Sequence, residues 1–88
     1  MTEPILAAFG GVLRQLRTES QLTQEEFAFA AGLQRNHVSS LELGNKQPTL
    51  ITIYKISLAL NMTPGRLLDR VDAVLPDMIN LRGNVIRK

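Results

Sequence analysis

The stretch TQEEFAFAAGLQRNHVSSLELG, residues 23–44, has the pattern of two short helices joined by a tight turn. Thr23 and Glu26 are three residues apart at the start of the first helix. At that spacing each side chain can satisfy a backbone N–H of the other, which is a capping box. Gly32 can adopt the left-handed conformation that ends a helix without steric strain. A second helix is predicted over residues 35–43, ended by the Gly-Asn pair that follows.

The second predicted helix is apolar on one side and polar on the other. Val38 and Leu41 are three residues apart and can pack on the first helix. The opposite face carries four polar side chains: Arg35, Asn36, Ser39 and Ser40. A helix that is held on one side and polar on the other suits the major groove of DNA, where side chains near the start of the helix contact base edges.

This stretch and the residues around it resemble the helix-turn-helix domains of the phage repressor and Cro type, the XRE family. The resemblance covers residues 13–68 and rests on the order LR..R, TQEE.A, GL, V..LE.G, PTL..I..I and AL...P..LL. It implies an all-α, five-helix, lambda-repressor-like DNA-binding domain over residues 1–76, with the helix-turn-helix at residues 24–43. Residues 77–88 would form a short C-terminal extension, for which dimerisation is one interpretation.

The resemblance also implies roles for individual residues. The family positions that match Arg35, Asn36, Ser39 and Ser40 contact base edges, and arginine and asparagine can pair in a bidentate manner with guanine and adenine. The residues expected to contact the DNA backbone lie near the ends of the two helices: Thr23, Gln24, Gln34, His37, Asn45 and Lys46. Such contacts set register and orientation without reading sequence.

Two side chains have competing interpretations. Arg17 could contact a phosphate, but it matches a family arginine that pairs with the glutamate of the LE.G motif, here Glu42, so we predict an Arg17–Glu42 ion pair. His37 is the only histidine. A position near a phosphate is preferred over metal ligation, because no cysteine, second histidine or carboxylate stands at ligand spacing.

Three further helices are predicted from apolar residues at helical spacing, over residues 5–19, 50–60 and 64–75. Pro4 suits the first turn of the first of these. The Gly10-Gly11 pair costs about 1 kcal/mol per residue relative to alanine, which predicts that regular helix begins only near Gly10. Small residues at this point could also allow another element to approach closely.

The predicted helix over residues 50–60 carries two apolar stripes. The stripe assigned to the core is Leu50, Ile53, Ile56, Ser57 and Leu60. The second stripe, Ile51, Tyr54 and Leu58, is expected to be covered by the fifth helix, by the C-terminal residues or by a partner, because exposed apolar patches tend to mark interfaces. Phe29 is expected to be half-buried against the C-terminal residues, with a subunit contact as the alternative. For residues 77–88, a hairpin and an extended arm that pairs with a second subunit both remain open.

Composition limits the other classes of function. The chain has 88 residues and a net charge of +2, which is typical of one mildly basic domain. It has no cysteine, which excludes disulfides and thiolate metal sites, and we expect no cofactor. No run approaches the roughly 20 apolar residues of a membrane span, and the start lacks the basic residues of a signal peptide, so a cytoplasmic location is predicted. An enzyme is not indicated, since no nucleophile stands beside a base.

The sequence therefore predicts a sequence-specific DNA-binding transcriptional regulator. It would act as a homodimer on an inverted-repeat operator and contact the major groove with its third helix. The alternative is an antitoxin-like or protein-interaction module that keeps the fold, with a toxin or a polymerase as its protein partner. Phage repressors, restriction–modification controllers and antitoxins all remain open as the biological context.

Overall fold

The computed structural model describes residues 3–75, and within that range the chain forms five α-helices and no strand. The helices are α1 (Pro4–Glu19), α2 (Gln24–Ala31), α3 (Arg35–Glu42), α4 (Leu50–Ala59) and α5 (Pro64–Ala73). The predicted all-α, five-helix fold is thus confirmed. The expectations for residues 77–88 lie outside the described residues. None of the described helices has the length and apolar character needed to cross a bilayer.

The first helix starts at Pro4, one residue before the predicted range of 5–19 and six residues before the start that the glycine pair led us to expect. Glu3 is its N-cap, and its Oε1 accepts the backbone N–H groups of Ile5 at 2.7 Å and Leu6 at 3.0 Å. Pro4 occupies the first turn, where its missing N–H leaves no bond unmade. The expected start near Gly10 is therefore wrong, because the cap and the packing of the helix offset the low helix propensity of glycine.

A threonine caps each of α2, α4 and α5. The hydroxyls of Thr23, Thr49 and Thr63 each accept the backbone N–H three residues further on, at 3.0 to 3.1 Å. At α2 the cap is reciprocal, since the Thr23 N–H donates to Glu26 Oε1 at 2.9 Å. Gly32 ends α2 in the left-handed conformation, with φ of 69°. These local signals explain why the helix boundaries follow the sequence closely.

The core lies between the helices, and α3 packs against both α1 and α2. Its fully buried apolar side chains come from all five helices: Leu13, Phe27, Val38, Leu41, Ile56 and Leu67. One predicted core residue of α4 is misplaced, since Leu50 is 70% exposed whereas Thr52 is buried. Ile56 points into the core and is fully buried. At 100° per residue, Leu50 lies about 120° around the helix from Ile56, so it points away from the core.

Gly10 marks a close approach of α1 to α3. A Cβ atom at this position would lie 2.5 Å from the carbonyl oxygens of both Leu41 and Glu42, at the end of α3. No real Cβ tolerates such a contact with backbone, so only glycine lets α1 lie this close to α3. The neighbouring Gly11 is different, because a Cβ there would meet nothing within 4 Å.

The two glycines therefore predict opposite effects of the same substitution. Gly10→Ala should lower the free energy of unfolding by about 1–3 kcal/mol, as overpacking of a core does. Gly11→Ala, the matched control, should raise it by up to about 1 kcal/mol through helix propensity alone. Urea denaturation followed by circular dichroism measures both values. Equal effects of the two substitutions would contradict the close contact at Gly10.

Candidate nucleic-acid interface

Helices α2 and α3 form a helix-turn-helix whose second helix is buried on one side only. Val38 and Leu41 on the underside of α3 are fully buried. Arg35 and Asn36 at the N-terminal end of α3 are exposed, while Ser39 and Ser40 are partly buried. The predicted separation of apolar and polar faces is present, and the two long polar side chains lie at the start of the helix.

Arg35 is held by weak, exposed hydrogen bonds. Its Nη2 donates to Asn36 Oδ1 at 3.1 Å, and its Nη1 donates to Gln24 Oε1 at 3.4 Å. Both bonds are open to solvent, so a ligand can replace them at little net loss. The arrangement holds the guanidinium beside the asparagine amide, and the two groups together offer donors and an acceptor at one end of α3.

Gln24, the first residue of α2, is hydrogen-bonded to both ends of α3. Its Oε1 accepts from Arg35 at the start of α3, and its Nε2 donates to Glu42 Oε1 at 3.0 Å at the end of α3. The amide of Gln24 is partly buried. This side chain therefore braces α3 against α2, in addition to the DNA-backbone contact that the family resemblance implied for it.

An ion pair secures the C-terminal end of α3, between the two residues that the family resemblance indicated. Arg17 Nε and Glu42 Oε2 are 2.5 Å apart, and Arg17 Nη2 donates to Glu42 Oε1 at 3.1 Å. The side chains are only 10% and 4% exposed. The hydrogen bond to Glu42 raises the pKa of Arg17, desolvation opposes that shift, and the charge of Glu42 adds to it. The guanidinium therefore stays charged and joins α1 to α3.

Arg17 makes one contact that the sequence pattern did not indicate. Its Nη1 donates to the backbone carbonyl of Leu22 at 2.8 Å, in the segment that leads into α2. One guanidinium thus bonds both to the end of α3 and to the residue before the α2 cap. A backbone acceptor has no side-chain signature, so no motif could have identified it.

The predicted backbone-contacting residues lie around the two ends of α3. Asn45 and Lys46 follow α3 and are exposed, and the Asn45 N–H is bonded to the Ser40 carbonyl at 2.9 Å. Gln34 is exposed and makes no side-chain capping bond, as expected for a glutamine at an N-cap. His37 is partly buried. Among residues 3–75, no group of three or more histidine, cysteine, aspartate or glutamate residues could hold a metal ion.

A family model for the helix-turn-helix matches residues 13–67, which is more than half of the chain. The chain belongs to this helix-turn-helix family. The matched range begins within α1 and ends within α5, so it includes the Arg17–Glu42 pair, the Gln24 brace and the whole polar face of α3.

Individual relatives are regulators. The chain is 41% identical over 70 residues to control protein C.BamHI of Bacillus amyloliquefaciens, which covers 78% of this chain and 86% of that protein. It is 38% identical over 63 residues to the uncharacterized HTH-type transcriptional regulator y4dJ of Sinorhizobium fredii. This match covers 72% of this chain and 82% of that protein. The crystal structure of the restriction-modification controller protein C.AhdI from Aeromonas hydrophila superposes with a TM-score of 0.69 at 42% identity. The superposition covers 70% of this chain and 94% of that chain. The chain is therefore a DNA-binding transcriptional regulator and not an enzyme.

Phe29 lies in α2, and its exposure differs from the half burial that we expected. Its side chain, on the outer side of α2, is 89% exposed rather than half-buried. The inward side of α2 is already occupied by Phe27, Ala28 and Ala31, so the helix geometry directs Phe29 away from the core. The C-terminal residues that were expected to cover it lie outside the described range.

The ion pair leads to a prediction for the stability of the helix-turn-helix. Glu42→Ala should lower the free energy of unfolding by about 3 kcal/mol or more, because it leaves the Arg17 charge buried without its carboxylate. Glu25→Ala, an exposed glutamate in the first turn of α2, is the matched control and should cost less than about 1 kcal/mol. Chemical denaturation measures both values. A cost at Glu42 no larger than at Glu25 would show that the pair does not hold α3.

Proposed function

We propose that the protein is a transcriptional controller that binds an inverted-repeat operator as a homodimer, with α3 in the major groove. The observation that carries this proposal is the exposure of Arg35 and Asn36 at the start of α3, above a fully buried underside. Long polar side chains in that position contact base edges when a helix enters the major groove. Action on DNA would also favour the cytoplasmic location expected from the sequence.

In this proposal the polar face of α3 reads the bases. Arg35 would make a bidentate contact to guanine and Asn36 to adenine, each exchanging its present exposed bonds for bonds to a base edge. Ser39 and Ser40 lie one turn further along the helix. Their shorter side chains and partial burial limit them to the nearest base edges.

The DNA backbone would be contacted on both sides of α3. An eight-residue helix is about 12 Å long, close to the width of the major groove. Thr23 and Gln24 at the N-terminus of α2 would meet one strand, where the free backbone N–H groups of a helix also favour a phosphate. Asn45 and Lys46 would meet the other strand, and Gln34 and His37 complete the set of backbone contacts.

The restriction-modification controller is the context that we favour among those left open. C.AhdI is described as such a controller and is 42% identical to this chain, which supports the proposal without extending to its operator. The relatives give no support to a toxin or polymerase as a protein partner. We also retain residues 1–76 as the DNA-binding domain and residues 77–88 as the extension. A restriction endonuclease or methyltransferase gene beside the gene for this chain would be expected.

Selection of bound sequences from random DNA tests the base-reading assignment. The wild type should select an inverted repeat. Arg35→Ala should relax base preference at one position of each half-site, at a loss of about 1–3 kcal/mol of discrimination. An unchanged preference would mean that Arg35 does not read DNA.

Lys46 should behave differently, because a phosphate contact carries no sequence information. Lys46→Ala should weaken binding to all duplexes and reduce the slope of log K against log salt concentration by about 1 for each protomer. Arg70→Ala, which removes an exposed positive charge from α5, is the matched control and should leave the slope unchanged. Salt titrations with a selected duplex and a scrambled duplex measure both effects.

A further inference from the structure

Leu43 is an exposed apolar residue at the C-terminal end of α3. It is the C-cap of the helix, with φ of −81° and ψ of −6°, and its N–H donates to the Ser39 carbonyl at 3.0 Å. The backbone is therefore still helical at Leu43, and its side chain follows the same rotation as the side chains of α3. That side chain is 63% exposed.

The rotation of α3 places Leu43 on the polar face of the helix. At 100° per residue, Leu43 lies about 140° around the helix from Val38 and about 160° from Leu41, the two buried residues of the underside. It lies only about 20° from Asn36 and about 60° from Ser40. Leu43 thus shares the exposed side of α3 with the residues proposed to contact base edges.

Exposure alone does not assign a role to Leu43, because leucines exposed singly are normal on a soluble domain. Its location is what distinguishes it. The other large apolar side chains exposed within residues 3–75 lie on α1, α2, α4 and α5 or at their ends, among them Phe29 and the second predicted stripe of α4. Within that range, Leu43 is the one exposed apolar side chain on the proposed base-reading face.

We propose that Leu43 reads the 5-methyl group of a thymine in each half-site of the operator. The inference rests on the proposed function, because it needs α3 in the major groove. A leucine side chain has no hydrogen-bond donor or acceptor, so it cannot pair with the N–H groups or oxygen atoms of a base edge. The thymine methyl is the apolar group that base pairs present in the major groove. Contact with this methyl is therefore the base recognition open to Leu43.

The location of Leu43 along α3 also fits a thymine methyl. Asn45 and Lys46 follow it closely, are exposed, and are proposed to contact the backbone of one DNA strand. On an A·T pair, the methyl group lies at the end of the base-pair edge nearest the thymine's own strand. Arg35 lies about 12 Å away at the other end of the helix, where it would read a base nearer the opposite strand. We therefore expect the thymine in the strand that Lys46 contacts.

A different base pair at this position would be actively disfavoured. Cytosine presents its N4 amino group as a donor in the major groove. Leu43 would exclude water from that donor without replacing the hydrogen bond, and a donor left unpaired in this way costs free energy. Leu43 should therefore both favour thymine and reject cytosine at one position of each half-site.

Replacement of thymine by deoxyuridine tests the inference, because it removes the methyl group and keeps every hydrogen-bonding group of the base. The thymines of the duplex selected by the wild type are replaced in turn, and fluorescence anisotropy measures binding by the full chain. Replacement of one particular thymine should weaken binding about fourfold in one half-site and about 15-fold in both. About fourfold is the factor expected when one methyl group is lost from an apolar contact.

Variants of Leu43 assign this methyl dependence to its side chain. Leu43→Ala should bind the thymine and uracil duplexes equally, which makes the comparison a double-mutant cycle. Leu43→Met keeps a long apolar side chain and should keep the difference. Phe29→Ala, at an exposed apolar site on α2, is the matched control and should keep both the affinity and the methyl dependence of the wild type. Thermal melting checks that Leu43→Ala folds, and Leu43→Asn replaces it if it does not.

The outcomes separate this inference from the proposed function. An inverted repeat whose binding responds to no thymine methyl, or responds equally in the wild type and Leu43→Ala, would overturn the role of Leu43 and leave the proposed function in place. An equal loss of affinity of Leu43→Ala for both duplexes would also overturn that role. A Leu43-dependent methyl effect at a site that is not an inverted repeat would support the role and overturn the proposed homodimer on an inverted repeat. A wild type that selects no sequence would overturn both.

Discussion

The pair between Arg17 and Glu42 is the interaction on which the proposed DNA-binding surface depends. Glu42 is the last residue of α3, and its carboxylate accepts from Arg17 of α1 and from Gln24 of α2. Three helices therefore meet at one buried carboxylate. Arg17 also bonds the carbonyl of Leu22, which leads into the α2 cap. Such a pair adds little net stability, but its directional bonds leave α3 one position relative to its neighbours.

This arrangement lets α3 be buried on one side while its other side stays exposed, as the proposed DNA contact requires. The underside of the helix is fixed by apolar contacts, by the close approach at Gly10 and by the bonds of Glu42 at its end. The opposite face is then free to carry Arg35 and Asn36, whose hydrogen bonds are exposed and replaceable. A helix of only eight residues is marginal by itself, so its orientation has to come from the rest of the domain. Rigid support is also what base recognition requires, since bidentate contacts tolerate little displacement.

The sequence by itself determined the helices, the turn and the side chains of the polar face. Capping residues, left-handed glycines and apolar spacing act over three to five residues, so they can be recognised without tertiary information. Thr23, Glu26 and Gly32 show this directly, because each has the local geometry that its type predicts. The Arg17–Glu42 pair is a different case. It joins residues 25 apart, and only the family resemblance indicated it.

The tertiary structure decided that Leu50 lies outside the buried stripe of α4, where α1 begins and which glycine of α1 meets α3. Spacing shows that side chains share a face, but not which neighbour lies against it, so Leu50 was assigned to the core and Phe29 to half burial. Helix propensity assigns the same destabilisation to Gly10 and Gly11, whereas in the structure only Gly10 lies against the backbone of α3. Burial depends on the relative placement of whole helices. That placement follows from contacts distant in the chain, which local pattern does not contain.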